Sequence, residues 1–254
     1  MTQVVGSDSS TMPPSDPAAS RRALRQDRAE RARTAARSIG EGFITMGVVL
    51  LLFCTYQLFW TNVSSDNQTT AEISQIKQAF IIPVGPPVSG QPTTTTIADG
   101  QGYGLIYIPR LGSDWVKPLV QGASLTNLKK GIVHYATNAQ PGEIGNFAVA
   151  GHRATNGEPF RNLDQMKIGD SVYLQTSDSW ITYKVSRIII VKPTDTWVLD
   201  PVPGKPGVVP TTATLTMTTC NPRWASYQRL IVFGYLADKT PKALGPPPAI
   251  ASLV

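Results

Sequence analysis

The chain has 254 residues, enough for one sizeable domain with extensions. Its net charge of +6 would suit a nucleic-acid binder, but Arg21, Arg22, Arg25, Arg28, Arg31, Arg33 and Arg37 all precede the first apolar run and the rest of the chain is close to balanced. A basic tail beside an apolar run is a topology signal, so nucleic acid is excluded as a partner.

The first twenty residues are rich in Ser, Pro, Asp and Thr without apolar periodicity, and disorder is expected there. Residues 20–38 are Ala/Arg-rich and read as a solvated polar helix, so residues 1–38 form a basic tail. Residues 43–60 carry no charge, and as a helix they span about 27 Å, enough to cross a bilayer. With Ile39 and Gly40 added, the expected membrane helix covers residues 39–60, and Tyr56, Phe59 and Trp60 form an interfacial aromatic belt at its end. A cleaved leader is the competing reading, but the run is long for one and no small-residue cleavage site follows Trp60. The arginines before the span put the N-terminus in the cytoplasm and the bulk of the chain outside the cell, as a single-pass membrane protein.

Residues 61–101 read as a stalk, with a helical pattern over 71–82 in which Ile73, Ile76 and Phe80 share a side. Pro83, Pro86, Pro87 and Pro92 then act as a semi-stiff spacer. From residue 102 to 238 the texture is short β-rich runs punctuated by Gly, Pro and Asn/Asp, at 104–108, 115–120, 146–150, 171–175, 180–191, 213–219 and 229–235. Residues 172–185 form a hairpin pattern, and short helices are expected near 124–130 and 159–166. The class is mainly β, a closed barrel or a sandwich. The Pro-rich tail, 239–254, is expected to be loose.

Only Cys54 and Cys220 occur, and if the apolar run crosses a bilayer they cannot meet, so no disulfide framework exists. With only His134 and His152 beside them, too few soft ligands remain for structural zinc, and neither a metal nor a cofactor is expected. Three strand ends carry reactive groups. Thr216-Met217-Thr218-Thr219-Cys220 ends at Asn221-Pro222, where the proline stops the strand and leaves the thiol at a rigid edge. Asn146-Phe147-Ala148-Val149-Ala150-Gly151 delivers His152 in the same way, and a thiol needs such a base or cation beside it. Arg229 opens an apolar strand just downstream, and a guanidinium there would favour a thiolate and a developing oxyanion. Each has a plainer reading: a buried structural cysteine, a surface histidine, a surface arginine. His134, in a loop-like context, is the rival histidine and reads as structural or pocket-lining, and the direction of Arg223 is not fixed.

Together these motifs resemble the sortase family of cysteine transpeptidases. Thr216-Met217-Thr218-Thr219-Cys220 is similar to the signature Thr-Leu-x-Thr-Cys, and Arg229-Leu230-Ile231-Val232 to its downstream arginine strand. Gly151-His152-Arg153 resembles the histidine motif, and Gly131-x-x-His134-Tyr135, Pro141-Gly142-Glu143, Gly145-Asn146, Pro159-Phe160 and Gly169-Asp170 fall in family order. Residues 193–201 and the short Cys220-to-Arg229 interval look most like class E of actinobacteria. Met217 replaces the usual Leu, a nearly volume-conserving exchange.

The resemblance, over residues 102–236, implies an eight-stranded closed barrel with Cys220 as nucleophile, His152 as proton carrier and Arg229 as oxyanion stabiliser. It implies cleavage of a Leu-Pro-x-Thr-Gly-like sorting signal, with Leu-Ala-x-Thr-Gly favoured, in a secreted protein. The acyl group then passes to an amine on a cell-wall precursor or a pilin. An L,D-transpeptidase would want a Ser-x-Gly-Cys nucleophile motif, and the non-enzymatic alternative, a tethered adhesion or assembly domain, requires the three side chains to be unrelated in space.

Overall fold

The computed structural model describes residues 17–81 and 97–254. Of the twenty N-terminal residues expected to be disordered, 1–16 fall outside the described residues, as does the proline spacer, whereas 17–20 are the first turn of a helix. The chain divides into two compact units, Met1–Tyr56 and Gln57–Val254.

A single helix, α1, runs from Pro17 to Ile81. Its stretch within Arg25–Gln57 is long and apolar enough to cross a membrane, with Phe43, Ile44, Leu51 and Leu52 all exposed. The helix does not break after Trp60 to restart at residue 71. No Gly or Pro lies between Gly47 and Pro83, so nothing interrupts the backbone ladder. Residues expected to be a free stalk also have somewhere to pack. Ser65, Thr69 and Ile76 are buried at intervals of four and seven, one face of a helix. Thr69 Oγ1 donates to Lys130 O at 3.1 Å.

Eight strands follow: β1 Gly102–Tyr107, β2 Val116–Gln121, β3 Ile132–His134, β4 Gly145–Ala150, β5 Ser171–Gln175, β6 Ser179–Val191, β7 Ala213–Asn221 and β8 Gln228–Pro241. They close into a barrel in the order β1-β2-β3-β4-β7-β8-β6-β5. The pairs β2/β3 and β4/β7 are parallel and the others antiparallel. The expected hairpin is β5–β6, and the expected short helices are single 3-10 turns at Asn127–Lys129 and Leu163–Gln165.

Inward positions alternate along each strand, as a half-buried sheet requires. Phe147 and Val149 of β4, Val172 and Leu174 of β5, Ile181 and Tyr183 of β6, and Leu215 and Met217 of β7 fill the interior. His134 is not in a loop: it ends β3 opposite Val149, facing this core.

A second cluster lies outside the barrel wall. Ile76 of α1 packs with Leu105, Tyr107, Trp180 and Ile250. The C-terminal residues are therefore not loose. β8 runs to Pro241, two 3-10 turns follow at Lys242–Leu244 and Pro248–Leu253, and Ile250 is fully buried. Lys242 Nζ sits 4.1 Å from the Phe80 ring centroid, a cation–π contact that ties the tail to α1.

Candidate active site

Register decides which side chains share a surface. Cys220 of β7 lies directly opposite Arg229 of β8, and Thr218 opposite Ile231. Directly opposed residues of an antiparallel pair point to the same face, with Cβ atoms about 4.5–5.5 Å apart. On the other side β4 runs parallel to β7, aligning Ala148 with Thr216 and Ala150 with Thr218. Leu215 and Met217 face the core. Thr216, Thr218 and Cys220 therefore face outward beside Ala148, Ala150 and Arg229. That floor is made of small side chains with a thiol at one end.

The thiol is partly exposed. Arg229 Nη1 donates to Ser226 O at 2.7 Å and to Gln228 O at 2.9 Å. A guanidinium has five N–H donors, so two carbonyls aim this one without exhausting it.

His152 arrives on the chain leaving β4. Gly151 N donates to Thr218 O at 3.2 Å, and Thr219 Oγ1 donates to Gly151 O at 2.8 Å. These two bonds tie the histidine's neighbour to the two residues preceding Cys220. Gly151 is required there, because a Cβ would sit 2.7 Å from the Phe160 ring. Phe160 N in turn donates to His152 O at 2.9 Å. Asn156 Nδ2 lies 3.2 Å from His152 Nε2. An amide nitrogen only donates, so with the Asn156 amide in this orientation Nε2 accepts and the ring proton lies on Nδ1, 3.4 Å from Thr155 Oγ1. Burial, and then the charge of Lys129, hold the imidazole pKa below its usual value, in keeping with a neutral ring.

His134 has a different setting. It is fully buried, with Nδ1 2.9 Å from Gln121 Oε1 and Nε2 3.1 Å from Ala139 O. Its ring lies 5.0 Å from Phe147. Burial outweighs the carbonyl bond and pushes its pKa down to about 4. It faces the barrel interior, away from the outward floor that holds Cys220.

Residues 192–201 wall the outer floor. Asn146 Nδ2 donates to Val198 O at 3.1 Å and Asp200 O at 3.0 Å, while its Oδ1 accepts from Thr216 Oγ1 at 2.8 Å. Val198 packs on Ile231 and Phe233. Between wall and floor, a cavity of about 70 Å³ includes Tyr135, Thr196, Leu199, Thr218 and Arg229 in its lining. A second cavity, of about 560 Å³, shares Tyr135, Thr196 and Leu199 and reaches Asn146 and Pro210. Together they form a trough that runs from Arg229 and Thr218 to the start of β4 at Gly145 and Asn146 and to Pro210 ahead of β7.

The structure thus brings Cys220 and Arg229 together and ties the His152 loop to the strand that carries Cys220. Asn156 and Thr155 were not singled out by sequence, and Tyr135 entered only as part of the Gly131-x-x-His134-Tyr135 motif, with no role given to it. They are ordinary polar or aromatic loop residues, and only the folded loop reveals what they touch.

A family model described as Sortase domain matches residues 106–237. Sortase SrtE1 of Streptomyces coelicolor is 39% identical, the match covering 91% of this chain and 66% of that relative, so the chain spans just under two thirds of its length. Sortase SrtE2 of the same organism is 30% identical, with 80% and 85% covered. Among solved structures, sortase E from Streptomyces avermitilis is 42% identical over 60% of this chain and 99% of that one, with a TM-score of 0.55. Sortase E1 from Streptomyces coelicolor, solved with a tripeptide in its active site, is 37% identical over 61% and 99%, also at 0.55.

Proposed function

The chain belongs to the sortase family, and from that premise we propose that it is a membrane-anchored transpeptidase working at the outer cell surface. Its substrates are secreted proteins with a C-terminal sorting signal of the Leu-Ala-x-Thr-Gly type, cut between Thr and Gly. The acyl group passes to an amine on a cell-wall precursor or a pilin. The observation that carries this reading is the pairing of Cys220 with Arg229 across β7 and β8, with Arg229 also lining the smaller cavity of the trough.

Cys220 attacks the threonine carbonyl carbon while His152, neutral at rest, takes the thiol proton. Arg229 donates to the tetrahedral oxyanion, where preorganised donors lower the barrier most. When the C–N bond breaks, His152 returns the proton to the departing glycine nitrogen, leaving a thioester on Cys220. An incoming amine then attacks the thioester carbon, expelling the sulfur. The wall formed by residues 192–201 and the small side chains of the β4/β7 floor suit an extended peptide, whose backbone approaches closely only where side chains are small.

The domain layout follows from the same reading. Residues 39–60 cross the membrane, residues 1–38 lie in the cytoplasm, residues 61–101 join the membrane helix to the barrel and pack on it through Thr69 and Ile76, and residues 102–238 are the catalytic domain, followed by the segment 239–254. The seven arginines ahead of the span support that orientation. The test is peptide turnover by the full chain in detergent micelles, with signals differing only in Ala or Pro at the second position and an amine acceptor present. The Ala peptide turns over faster. Equal turnover, or preference for Pro, would rule out the stated signal.

A further inference from the structure

A proton carrier depends on its orientation, since a misplacement of about 1 Å can cost about 10²-fold in rate. The turn that follows His152 sets the orientation of its ring, and that turn is strained. Three consecutive residues are left-handed, with φ of 52° at Asn156, 71° at Gly157 and 44° at Glu158. Two of the three carry a Cβ, for which this backbone is unfavourable, so the turn persists only where its surroundings hold it. Within it, Glu158 N donates to Thr155 O at 3.1 Å, and the Glu158 carboxylate pairs with Arg161. Asn156 is the residue whose amide reaches His152 Nε2.

Support from outside comes from α1. Gly157 lies against that helix: a Cβ there would stand 3.1 Å from Asp66 Oδ1 and 3.5 Å from Ser65 Cβ. Ser65 is only 3% exposed, so this stretch of the helix is packed on the barrel unit. Thr69, one turn on, shares the same face and donates to Lys130 O at 3.1 Å. Glu72 Oε2 lies 4.0 Å from Lys130 Nζ, a second hold on the same residue. Lys130 directly follows Lys129, the last residue of the Asn127–Lys129 turn, whose charge helps to keep the His152 pKa low. One helical face therefore touches both segments that act on the imidazole, the turn carrying Asn156 and the turn carrying Lys129.

We infer that the Ser65–Thr69 stretch of α1 is a positioning element for proton transfer: it braces Gly157 from outside and, through Asn156, fixes the orientation of the His152 ring. Ser65 and Thr69 touch no reacting atom, so they are positioning residues. The inference rests on the reading of His152 as the proton carrier. With the brace in place, the ring meets the Cys220 thiol in one orientation. Without it, the strained turn relaxes and Asn156 withdraws from the ring. Thioester formation then slows, while the peptide still binds in the trough, which shares no residue with the brace.

The test uses the full chain in detergent micelles with a Leu-Ala-x-Thr-Gly peptide, on the plateau of the pH–rate profile. The burst of released C-terminal fragment reports thioester formation. Ser65→Leu keeps a good helix former but forces bulk against Gly157. It lowers the burst rate at saturating peptide about tenfold and leaves the half-saturating peptide concentration unchanged. Thr69→Val lowers the rate several-fold in the same way, and Thr69→Ser, which retains the hydroxyl, restores it. In an Asn156→Ala background Ser65→Leu changes the rate less than twofold, because the connection it acts through is already cut. Ile76→Ala, which loosens the same helix about three turns on, keeps the wild-type burst rate. Wild-type burst rates in Ser65→Leu and Thr69→Val would overturn the brace. So would an equal slowing by Ile76→Ala, or a Ser65→Leu effect undiminished by Asn156→Ala. Each of these outcomes leaves the transpeptidase reading standing. No burst from wild type with either a Leu-Ala-x-Thr-Gly or a Leu-Pro-x-Thr-Gly donor would remove that reading itself.

Discussion

Acidification should destabilise this protein through one imidazole, and the size of the effect follows from where His134 sits. Folded, its pKa is held at about 4, against an ordinary value of 6.5 that the unfolded chain retains. Between those values the unfolded state binds a proton that the folded state refuses. His134 therefore contributes its full stability above pH 6.5, and that contribution shrinks as pH falls towards 4 and then levels off. Integration over the two titrations gives a loss of roughly 2 kcal/mol between pH 7 and pH 5, and roughly 3 kcal/mol by pH 4. Asp170 is a separate case: its hydrogen bond from Arg110 holds its pKa below 3.8, so its contribution is lost only in more acid solution. The assay is urea unfolding of wild type and His134→Gln at several pH values, comparing slopes and not absolute stabilities. The variant should lack most of the decline between pH 7 and 5. Parallel curves, or a His134 resonance titrating near its ordinary value, would refute the argument and reopen this histidine as a proton carrier.

Further outcomes follow from the site. Arg229→Lys should lower kcat about 10²- to 10³-fold in burst kinetics, because a point ammonium cannot keep both backbone bonds and reach the oxyanion. Asn156→Ala frees His152 Nε2, so the acid limb of the kcat/KM profile should move to higher pH while the unfolding midpoint changes little. Ile76→Ala should cost about 2–4 kcal/mol in urea unfolding of the full chain, since it empties the cluster shared by α1, the barrel and the tail.

What could be read in advance was whatever local pattern determines. The alternation of Leu215 and Met217 with threonines marked β7, and Pro222 marked its end. Cys220 and Arg229 could be placed at neighbouring strand ends because both sit at the edges of apolar runs with a short connection between them. β3 escaped because three residues cannot display a period, so His134 looked like a loop residue. The docking of Ile76 and Ile250 escaped for a different reason. Each is an apolar residue in a polar or Pro-rich context, and its partner lies far away in sequence. The environment of His152 was equally hidden. The left-handed turn at Asn156, with φ of 52°, brings the amide back onto the ring, and neither Thr155 nor Asn156 differs in type from any solvated loop residue.

The most direct test is to trap the full chain with a Leu-Ala-x-Thr-Gly peptide, without an amine acceptor, and map the adduct by mass spectrometry. The account predicts one thioester, on Cys220, carrying the peptide up to its threonine and released by hydroxylamine, with none on Cys220→Ala. An adduct on any other residue, or signal cleavage that persists in Cys220→Ala, would contradict it.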